Sequence, residues 1–194
     1  MGEVRQTKTK HKLHEAFYQL LAKSGYQQMN IKELCQAAGI NRGTFYNNYD
    51  SKAALWQEIE NVHIQNVEAI LSKSQVADEF YAEEIKNVMD YLYSQQREFY
   101  IIAQSDLFVS FQQELVRLIR AVFQRHHYGM KDLIQSRKYE EEIVYGGIAS
   151  IISLWIKDNF QESPQEMMQI ILAYRDHAPK EYFYLQLKNK PSLK

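Results

Sequence analysis

Residues that interrupt helices are scarce in this chain, and nearly all of them stand where an apolar pattern ends. The 194 residues include seven glycines and three prolines. Between these breaks, apolar residues recur at the i, i+3, i+4, i+7 spacing that places them on one face of an α-helix. Long stretches of this kind, without glycine or proline, predict an all-α protein.

The N-terminal segment predicts short helices separated by glycine-containing turns. A first helix is expected over about 6–23, with Gly25 as a left-handed cap. Asn30 starts a second helix that Gly39 ends, and the side-chain oxygen of Asn41 caps a third. Two short helices joined by a tight turn are a helix-turn-helix, whose second helix can enter a DNA major groove.

A longer helix and a helical body are predicted to follow. The longer helix begins at Ser51, ends near Leu71 and links the two parts. We therefore place a helix-turn-helix domain at 1–56 and a helical regulatory and dimerisation domain at 72–194. The helices of the body are expected at about 78–95, 97–104, 107–127, 139–159 and 164–175, with a short one within 180–194.

Charge is distributed unevenly along the chain. The net charge is −1. Residues 1–56 carry eight basic and four acidic side chains, a net +4, and the remainder has a net −5. A basic N-terminal part on an acidic body is the asymmetry expected of a DNA-binding protein.

Several classes of protein are disfavoured by what the sequence lacks. A single cysteine, Cys35, excludes an internal disulfide framework and fits a reducing cytosol. The chain opens with polar and charged residues, and no window reaches the ~18 uninterrupted apolar residues of a membrane span. We therefore expect a cytoplasmic protein with no membrane partner.

The segment 39–52 carries the side chains best suited to DNA. Phe45 and Tyr49 are four residues apart, so both can face inward from the third helix. The side chains left pointing outward are donor-rich and mostly uncharged, which suits reading a groove and its phosphates. They are Arg42, Thr44, Tyr46, Asn47 and Asn48.

Several short motifs occur here in a recognisable order and spacing. They are Gly25-Tyr26, Ala38-Gly39-Ile40, Gly43-Thr44-Phe45-Tyr46 and Tyr49-Asp50-Ser51-Lys52. With them, the first ~55 residues resemble the DNA-binding head of the TetR/AcrR family of transcriptional regulators. Tyr49 stands where that family usually has Phe, and Ala53 where it usually has Glu. Neither departure removes a DNA donor.

The resemblance implies a homodimer that binds a roughly palindromic DNA operator. It also implies a body that often holds a small ligand and changes the spacing of the two heads. By motif position, Asn30, Lys32 and Lys52 would meet phosphates, and Gly43 would let the third helix approach the DNA backbone closely. The full predicted DNA-binding set is Asn30, Lys32, Asn41, Arg42, Gly43, Thr44, Tyr46, Asn47, Asn48 and Lys52.

Aromatic residues make up 13% of the chain, with fourteen tyrosines. Such side chains either fill a core or line a cavity for a flat or apolar ligand, and tyrosine hydroxyls can serve both purposes. A small apolar or aromatic effector is thus a possible partner. The candidate ligand-binding residues are Tyr91, Phe99, Tyr100, Phe108, Phe111 and Trp155.

The helices predicted at about 139–160 and 164–175 form the most continuously apolar pair of the chain. They resemble the last two helices of several family members, although this resemblance is weaker than that of the head. Two from each subunit would make a four-helix bundle about a twofold axis. Gly146 and Gly147 lack side chains, so a partner backbone could approach there. The predicted dimer interface is Val144, Gly147, Ile148, Ile151, Ile152, Trp155, Met168, Ile171 and Leu172.

Three functions stay open at this stage. The first is a sequence-specific transcriptional regulator, expected to be a repressor, and the second is a helical co-activator or adaptor acting through protein contacts. An enzyme is disfavoured because there is no nucleophile–base pair, no metal-ligand spacing and no phosphate-cradling loop. His126-His127 are adjacent on a helix and do not face each other. We expect no catalytic residue, metal or cofactor.

Overall fold

The computed structural model describes the backbone of residues 2–72, 78–125 and 137–177, with side chains inside these ranges. Within this part of the chain every regular element is an α-helix, which confirms the all-α prediction. The helices are α1 Gly2–Gln28, α2 Ile31–Ala38, α3 Arg42–Tyr46, α4 Lys52–Leu71, α5 Asp78–Ser94, α6 Gln96–Ala103, α7 Phe108–Arg125, α8 Arg137–Lys157 and α9 Pro164–His177.

The end of α1 differs from the prediction. Gly25 interrupts the regular helix, as predicted, but not in the left-handed α conformation expected of a cap. It adopts a non-helical conformation, with φ 76° and ψ 166°, and a further helical turn follows it. A positive φ is tolerated by glycine because it has no Cβ. The predicted short helix within 180–194 and the pair His126-His127 lie outside the described residues.

Polar side chains fix the starts of three successive helices. Asn30 Oδ1 accepts a hydrogen bond from the Glu33 amide at 3.0 Å, and Asn41 Oδ1 accepts one from the Thr44 amide at 2.7 Å. Ser51 Oγ likewise accepts one from the amide of Ala54, three residues further along, at 3.1 Å. Each bond satisfies an amide that has no partner within its helix. The predicted caps at Asn30 and Asn41 are confirmed.

The described helices belong to two compact units. The first unit comprises Met1–Lys73 and Ser94–Phe111, and the second comprises Ser74–Tyr93 and Gln112–Lys194. The first unit therefore contains α6 and the start of α7 as well as the helix-turn-helix. Its core includes Phe17, whose ring stacks on that of Trp56 with centroids 5.7 Å apart.

A half-buried histidine lies among α1, α4 and α6 in the first unit. His63 Nε2 lies 2.9 Å from the hydroxyl of Tyr18, and its ring centroid is 4.7 Å from that of Phe99. Burial lowers the pKa of His63 to about 4, and the nearby His14 acts in the same direction. The folded protein therefore favours a neutral imidazole at this position.

The second unit is organised around the corner between α8 and α9. Trp155 is buried, its ring lies 4.6 Å from that of Phe160, and its Nε1 donates to the Glu162 carbonyl at 2.9 Å. Ser163 and Glu166 then exchange hydrogen bonds ahead of α9, which begins at Pro164. This arrangement is a capping box with proline at the first helical position.

We predict that acid destabilises the protein through His63. An unfolded chain binds a proton at this side chain below about pH 6.5, whereas the folded chain resists protonation down to about pH 4. Stability is therefore fully present above pH 6.5 and is lost as the pH falls toward 4. Between pH 7.5 and pH 5 the histidine should remove about 2 kcal/mol from the free energy of unfolding.

Urea denaturation at both pH values measures this effect. A His63→Phe variant should lose most of the difference, because it has no imidazole to protonate. A His11→Phe variant is the matched control, since His11 is exposed. If wild type and His63→Phe lose the same stability on acidification, the assignment to His63 is wrong.

Candidate nucleic-acid interface

The turn between α2 and α3 is closed by backbone hydrogen bonds. Gly39 adopts a left-handed conformation, with φ 64° and ψ 39°. Its amide donates to the Gln36 carbonyl at 3.2 Å, and the Ile40 amide donates to that of Cys35 at 2.9 Å. These bonds satisfy the last carbonyls of α2. The chain can therefore reverse within three residues and begin α3 at Arg42.

Two aromatic side chains anchor α3 from below. Phe45 is fully buried and Tyr49 is nearly so, with ring centroids 5.9 Å apart. Their inward orientation is the one that the sequence predicts. Because these two positions face the core, the opposite side of the helix must face solvent.

The outward side of α3 presents an exposed aromatic ring among polar groups. The side chain of Tyr46 is 53% exposed, although its ring packs edge-on against Phe45 at 5.5 Å. Arg42 and Asn47 are exposed as well, and Thr44 is half-buried. An exposed tyrosine ring keeps apolar surface in contact with water, which is unfavourable. Its hydroxyl and ring edge are accessible for contacts with another molecule.

Asn41, Gly43 and Thr44 form one local arrangement at the start of α3. Asn41 Oδ1 accepts from both the amide and the hydroxyl of Thr44, the latter at 3.0 Å. A Cβ on Gly43 would lie 3.3 Å from that oxygen. The missing side chain thus leaves room for the cap. The predicted approach of Gly43 to a DNA backbone stays a prediction.

Asn48 is turned back onto its own helix. Its Nδ2 donates to the Thr44 carbonyl at 2.7 Å, and the side chain is half-buried. The amide donors of Asn48 are therefore partly engaged in closing α3. Asn30 is likewise engaged as the cap of α2, whereas Lys32 in the first turn of that helix is exposed.

Lys52 has a different environment from the one the sequence predicts. Its Nζ donates to the carbonyls of Tyr26 at 2.7 Å, Gln27 at 3.3 Å and Met29 at 2.8 Å. It also lies 4.5 Å from the centroid of the Tyr26 ring. All three ammonium hydrogens are thus directed at the protein, so a phosphate would have to compete with these carbonyls.

The hydroxyl that distinguishes Tyr49 from the usual family phenylalanine has a partner. It donates to Glu58 Oε1 on α4 at 3.0 Å, and Lys10 on α1 donates to the other oxygen at 2.8 Å. Burial and the Glu58 charge raise the pKa of Tyr49. Burial opposes ionisation of Glu58, but hydrogen bonds from Lys10 and Tyr49 outweigh it and lower the pKa of this carboxyl. The cluster joins the end of α3 to α1 and α4.

The six predicted ligand-binding residues are not brought together in one unit. Phe99 and Phe108 of the first unit are buried against Phe111, with ring centroids 5.7 and 6.1 Å away, and Tyr100 is half-buried. Tyr91 and Trp155 belong to the second unit. A groove of about 310 Å³ along α4 contains none of the six, and its lining is Ala54, Gln57, Glu58, Asn61, Val62 and Gln65.

Four of the predicted dimer contacts are buried within the chain itself. No more than 3% of each of these side chains is exposed, so a partner subunit has nothing left to cover. They are Ile148, Ile152, Trp155 and Ile171. Val144, Ile151, Met168 and Leu172 are half-buried.

Gly147 also has a different role from the predicted one. A methyl group there would overlap the hydroxyl of Tyr174, which donates to the Ile143 carbonyl at 3.1 Å. The glycine thus accommodates a side chain of its own subunit rather than a partner backbone. A Cβ on the neighbouring Gly146 would meet nothing within 4 Å.

The sequence prediction missed a second apolar stripe on α8 and α9. Leu154 is 60% exposed, Ile143 is 40% exposed and Ile170 is 42% exposed. On α8 the first two lie eleven residues apart, which is three helical turns. This periodicity is visible in the sequence, but it is interleaved with the buried stripe.

Comparisons with known families agree with the geometry of the helix-turn-helix. A model of bacterial regulatory proteins of the tetR family matches residues 14–59. A second model, of a transcriptional regulator C-terminal region, matches residues 79–176. No curated protein sequence matches the chain significantly.

Three solved structures share the fold at low sequence identity. A TetR transcriptional regulator from Streptococcus agalactiae is 16% identical, with a TM-score of 0.63 over 89% of this chain and 96% of that one. The dihydroxyacetone kinase operon activator DhaS is 16% identical, with a TM-score of 0.53 over 88% and 96%. A transcriptional regulator from Pseudomonas aeruginosa is 14% identical, with a TM-score of 0.55 over 91% of each chain.

We predict that Lys52 stabilises the fold. Lys52→Met keeps the aliphatic stem but removes three charge-assisted hydrogen bonds and the contact with the Tyr26 ring. The free energy of unfolding should fall by about 2 kcal/mol. Lys32→Met, at an exposed lysine of α2, should change it by less than about 0.5 kcal/mol. Denaturant titration measures the free energy of unfolding of both variants. If the two variants were equally stable, Lys52 would not have the stabilising role that we predict.

Proposed function

The chain belongs to the TetR family of bacterial transcriptional regulators, and we propose that it represses transcription as a dimer on a palindromic operator. The observation that carries this proposal is the exposed face of α3. It is a short helix anchored by Phe45 and Tyr49, with Arg42, Tyr46 and Asn47 directed to solvent.

The exposed side chains of α3 match the chemistry of a major groove. The Asn47 amide can donate to and accept from an adenine edge, and Arg42 can donate to guanine or to a phosphate. The Tyr46 ring can contact a thymine methyl group, and its hydroxyl can reach a phosphate. Asn30, Lys32, Asn41, Gly43, Thr44, Asn48 and Lys52 complete the proposed surface, several of them through the hydrogen bonds that shape it.

We place the dimer contact on the exposed stripe of α8 and α9. Ile143, Leu154 and Ile170 are large apolar side chains in solvent, and Gly146 offers an open position where a partner helix can approach closely. The half-buried Val144, Ile151, Met168 and Leu172 would flank this contact. A twofold axis there would give the dimer two heads for the two halves of a palindrome.

Repression follows if the bound dimer occupies DNA that the transcription machinery needs. Release by a small apolar or aromatic effector is part of the proposal, and its support is the family resemblance and the aromatic content of the chain. Such an effector must bind better to a state with low operator affinity. The protein would act by binding rather than by catalysis, and it would work in the cytoplasm, where bacterial DNA is located.

None of the described helices is long and apolar enough to cross a membrane. Among the same residues, no group of three or more His, Cys, Asp or Glu side chains is placed to hold a metal ion.

Selection of bound sequences from a random DNA pool tests the proposed function. We expect an inverted repeat to emerge. Tyr46→Ala should then weaken binding to that repeat by about 10- to 100-fold, which corresponds to about 1–3 kcal/mol of lost groove contact. Its melting temperature should match that of wild type, because the ring is largely exposed.

Val109→Ala removes another exposed apolar side chain of the first unit and serves as the matched control. It should bind the selected repeat as wild type does. If no sequence is enriched and Tyr46→Ala changes nothing, the DNA-binding role fails and the co-activator or adaptor function takes its place. A single, non-repeated selected site would contradict the dimer on a palindrome.

We predict that Leu154→Glu yields monomers. A twofold contact would place two such carboxylates near each other, and burying them without cationic partners is costly. Sedimentation velocity should show half the wild-type mass with unchanged helicity. Operator affinity should fall steeply, because a monomer has one helix-turn-helix and cannot bind the second half-site at the same time. Val109→Glu, an equally exposed position on α7, should stay dimeric. An intact Leu154→Glu dimer would place the interface elsewhere.

A further inference from the structure

The segment Tyr26–Met29 follows Gly25 at the end of α1 and precedes Asn30, and charged side chains bind both its amides and its carbonyls. We call Tyr26–Met29 the connector. Because Gly25 leaves the helical conformation, the amides that follow it cannot continue the hydrogen-bond ladder of α1. Within the connector, the Tyr26 carbonyl accepts a hydrogen bond from the Met29 amide at 3.3 Å. Two charged side chains distant in sequence provide further partners for the connector amides and carbonyls.

Asp106, in the turn between α6 and α7, satisfies the amides. Its Oδ1 accepts from the Tyr26 amide at 2.8 Å, and its Oδ2 accepts from the Gln27 amide at 2.9 Å. A carboxylate facing two successive amides at the start of a helical turn acts as an N-terminal cap, here supplied from 80 residues away.

Lys52, at the start of α4, binds the carbonyl groups on the opposite side of the connector's peptide groups. Its ammonium group donates to the carbonyls of Tyr26, Gln27 and Met29. A negative charge at the amides and a positive charge at the carbonyls both stabilise one orientation of the connector dipoles. The connector is thereby fixed between α4 and the α6–α7 turn, all within the first unit.

The connector leads directly into the helix-turn-helix. Met29 is buried, and the next residue is Asn30, whose side chain caps α2. Movement of Asp106 relative to α1 must therefore break two charge-assisted hydrogen bonds or carry the start of α2 with it. A separate contact between α1 and α6, the ion pair of Arg97 with Glu15, is exposed on both sides and does not involve the connector.

We propose that Asp106 is a positioning residue for operator binding, which sets the orientation of the helix-turn-helix through the amides of Tyr26 and Gln27. This inference rests on the proposed function, because it assumes that α3 binds DNA. It makes operator affinity depend on the α6–α7 turn, although Asp106 itself does not contact DNA.

The test compares Asp106→Asn with wild type on the operator obtained by selection. The amide side chain keeps one acceptor and turns a donor toward a backbone amide, so one of the two bonds is lost. We expect binding to weaken about tenfold, well below the melting temperature of every variant. The dependence of affinity on salt should keep its slope, since no phosphate contact is removed. Asp106→Glu, which keeps the charge and both acceptors, should recover part of the loss.

Arg97→Gln is the matched control and should bind within twofold of wild type, because it breaks an exposed ion pair between α1 and α6 that does not involve the connector. Asp106 would be merely structural if Asp106→Asn melted earlier but bound the operator as wild type does. A steeper slope together with tighter binding would mean that Asp106 lies near the DNA phosphates, because the neutral side chain would remove a repelling charge. Either result overturns the proposal.

Hydrogen exchange on the wild-type protein gives a second test that needs no variant to fold. The Tyr26 and Gln27 amides should be protected in the free protein, and operator binding should increase their protection, because coupling between two sites is reciprocal. Unchanged protection would overturn the proposal. If wild type binds no DNA sequence, the proposed function has failed instead, and this outcome is distinct from operator binding that ignores Asp106.

Discussion

The position of α3 depends on the burial of Phe45 and Tyr49, because a helix of five residues cannot be stable by itself. Forming its first turn fixes several backbone torsions for one hydrogen bond, a cost that isolated short helices do not recover. Burial of the two aromatic rings in the core of the first unit offsets this cost. The Asn41 side chain accepts a hydrogen bond from an amide at the start of α3. The hydroxyl of Tyr49, bound to Glu58, adds a polar link from the end of α3 to α4.

Most of this local construction could be predicted from the sequence. The caps at Asn30 and Asn41 and the inward orientation of Phe45 on α3 and of Tyr49 after it depend on residues three or four positions apart, and short-range geometry decides them. The partners of Lys52 could not be predicted in this way. They lie 23 to 26 residues away, and Asp106 lies about 80 residues from the amides that it caps. Periodicity carries no information about such pairs.

Which faces of α8 and α9 the chain buries itself could not be predicted, for a related reason. Both helices carry apolar residues on more than one face, so the period of the pattern is the same for the side that meets the core and the side that meets a partner. Only the folded chain shows that Ile148 and Trp155 are covered within the subunit while Leu154 is not. Gly147 illustrates the same point, since its missing side chain is matched by Tyr174.

The interactions that hold the helix-turn-helix in place differ in kind from those that build it. Phe45 and its neighbours are core contacts, and each large side chain buried there contributes about 1.5–3 kcal/mol that solvent and salt scarcely alter. The bonds from Asp106 and Lys52 to the connector are charged and partly exposed, so each contributes less and responds to its surroundings. A binding surface that is internally rigid, but attached to the rest of the protein by weaker polar interactions, can change its orientation without unfolding. This separation of strengths is what a regulator needs, because operator affinity can then be altered at a cost well below that of opening the core.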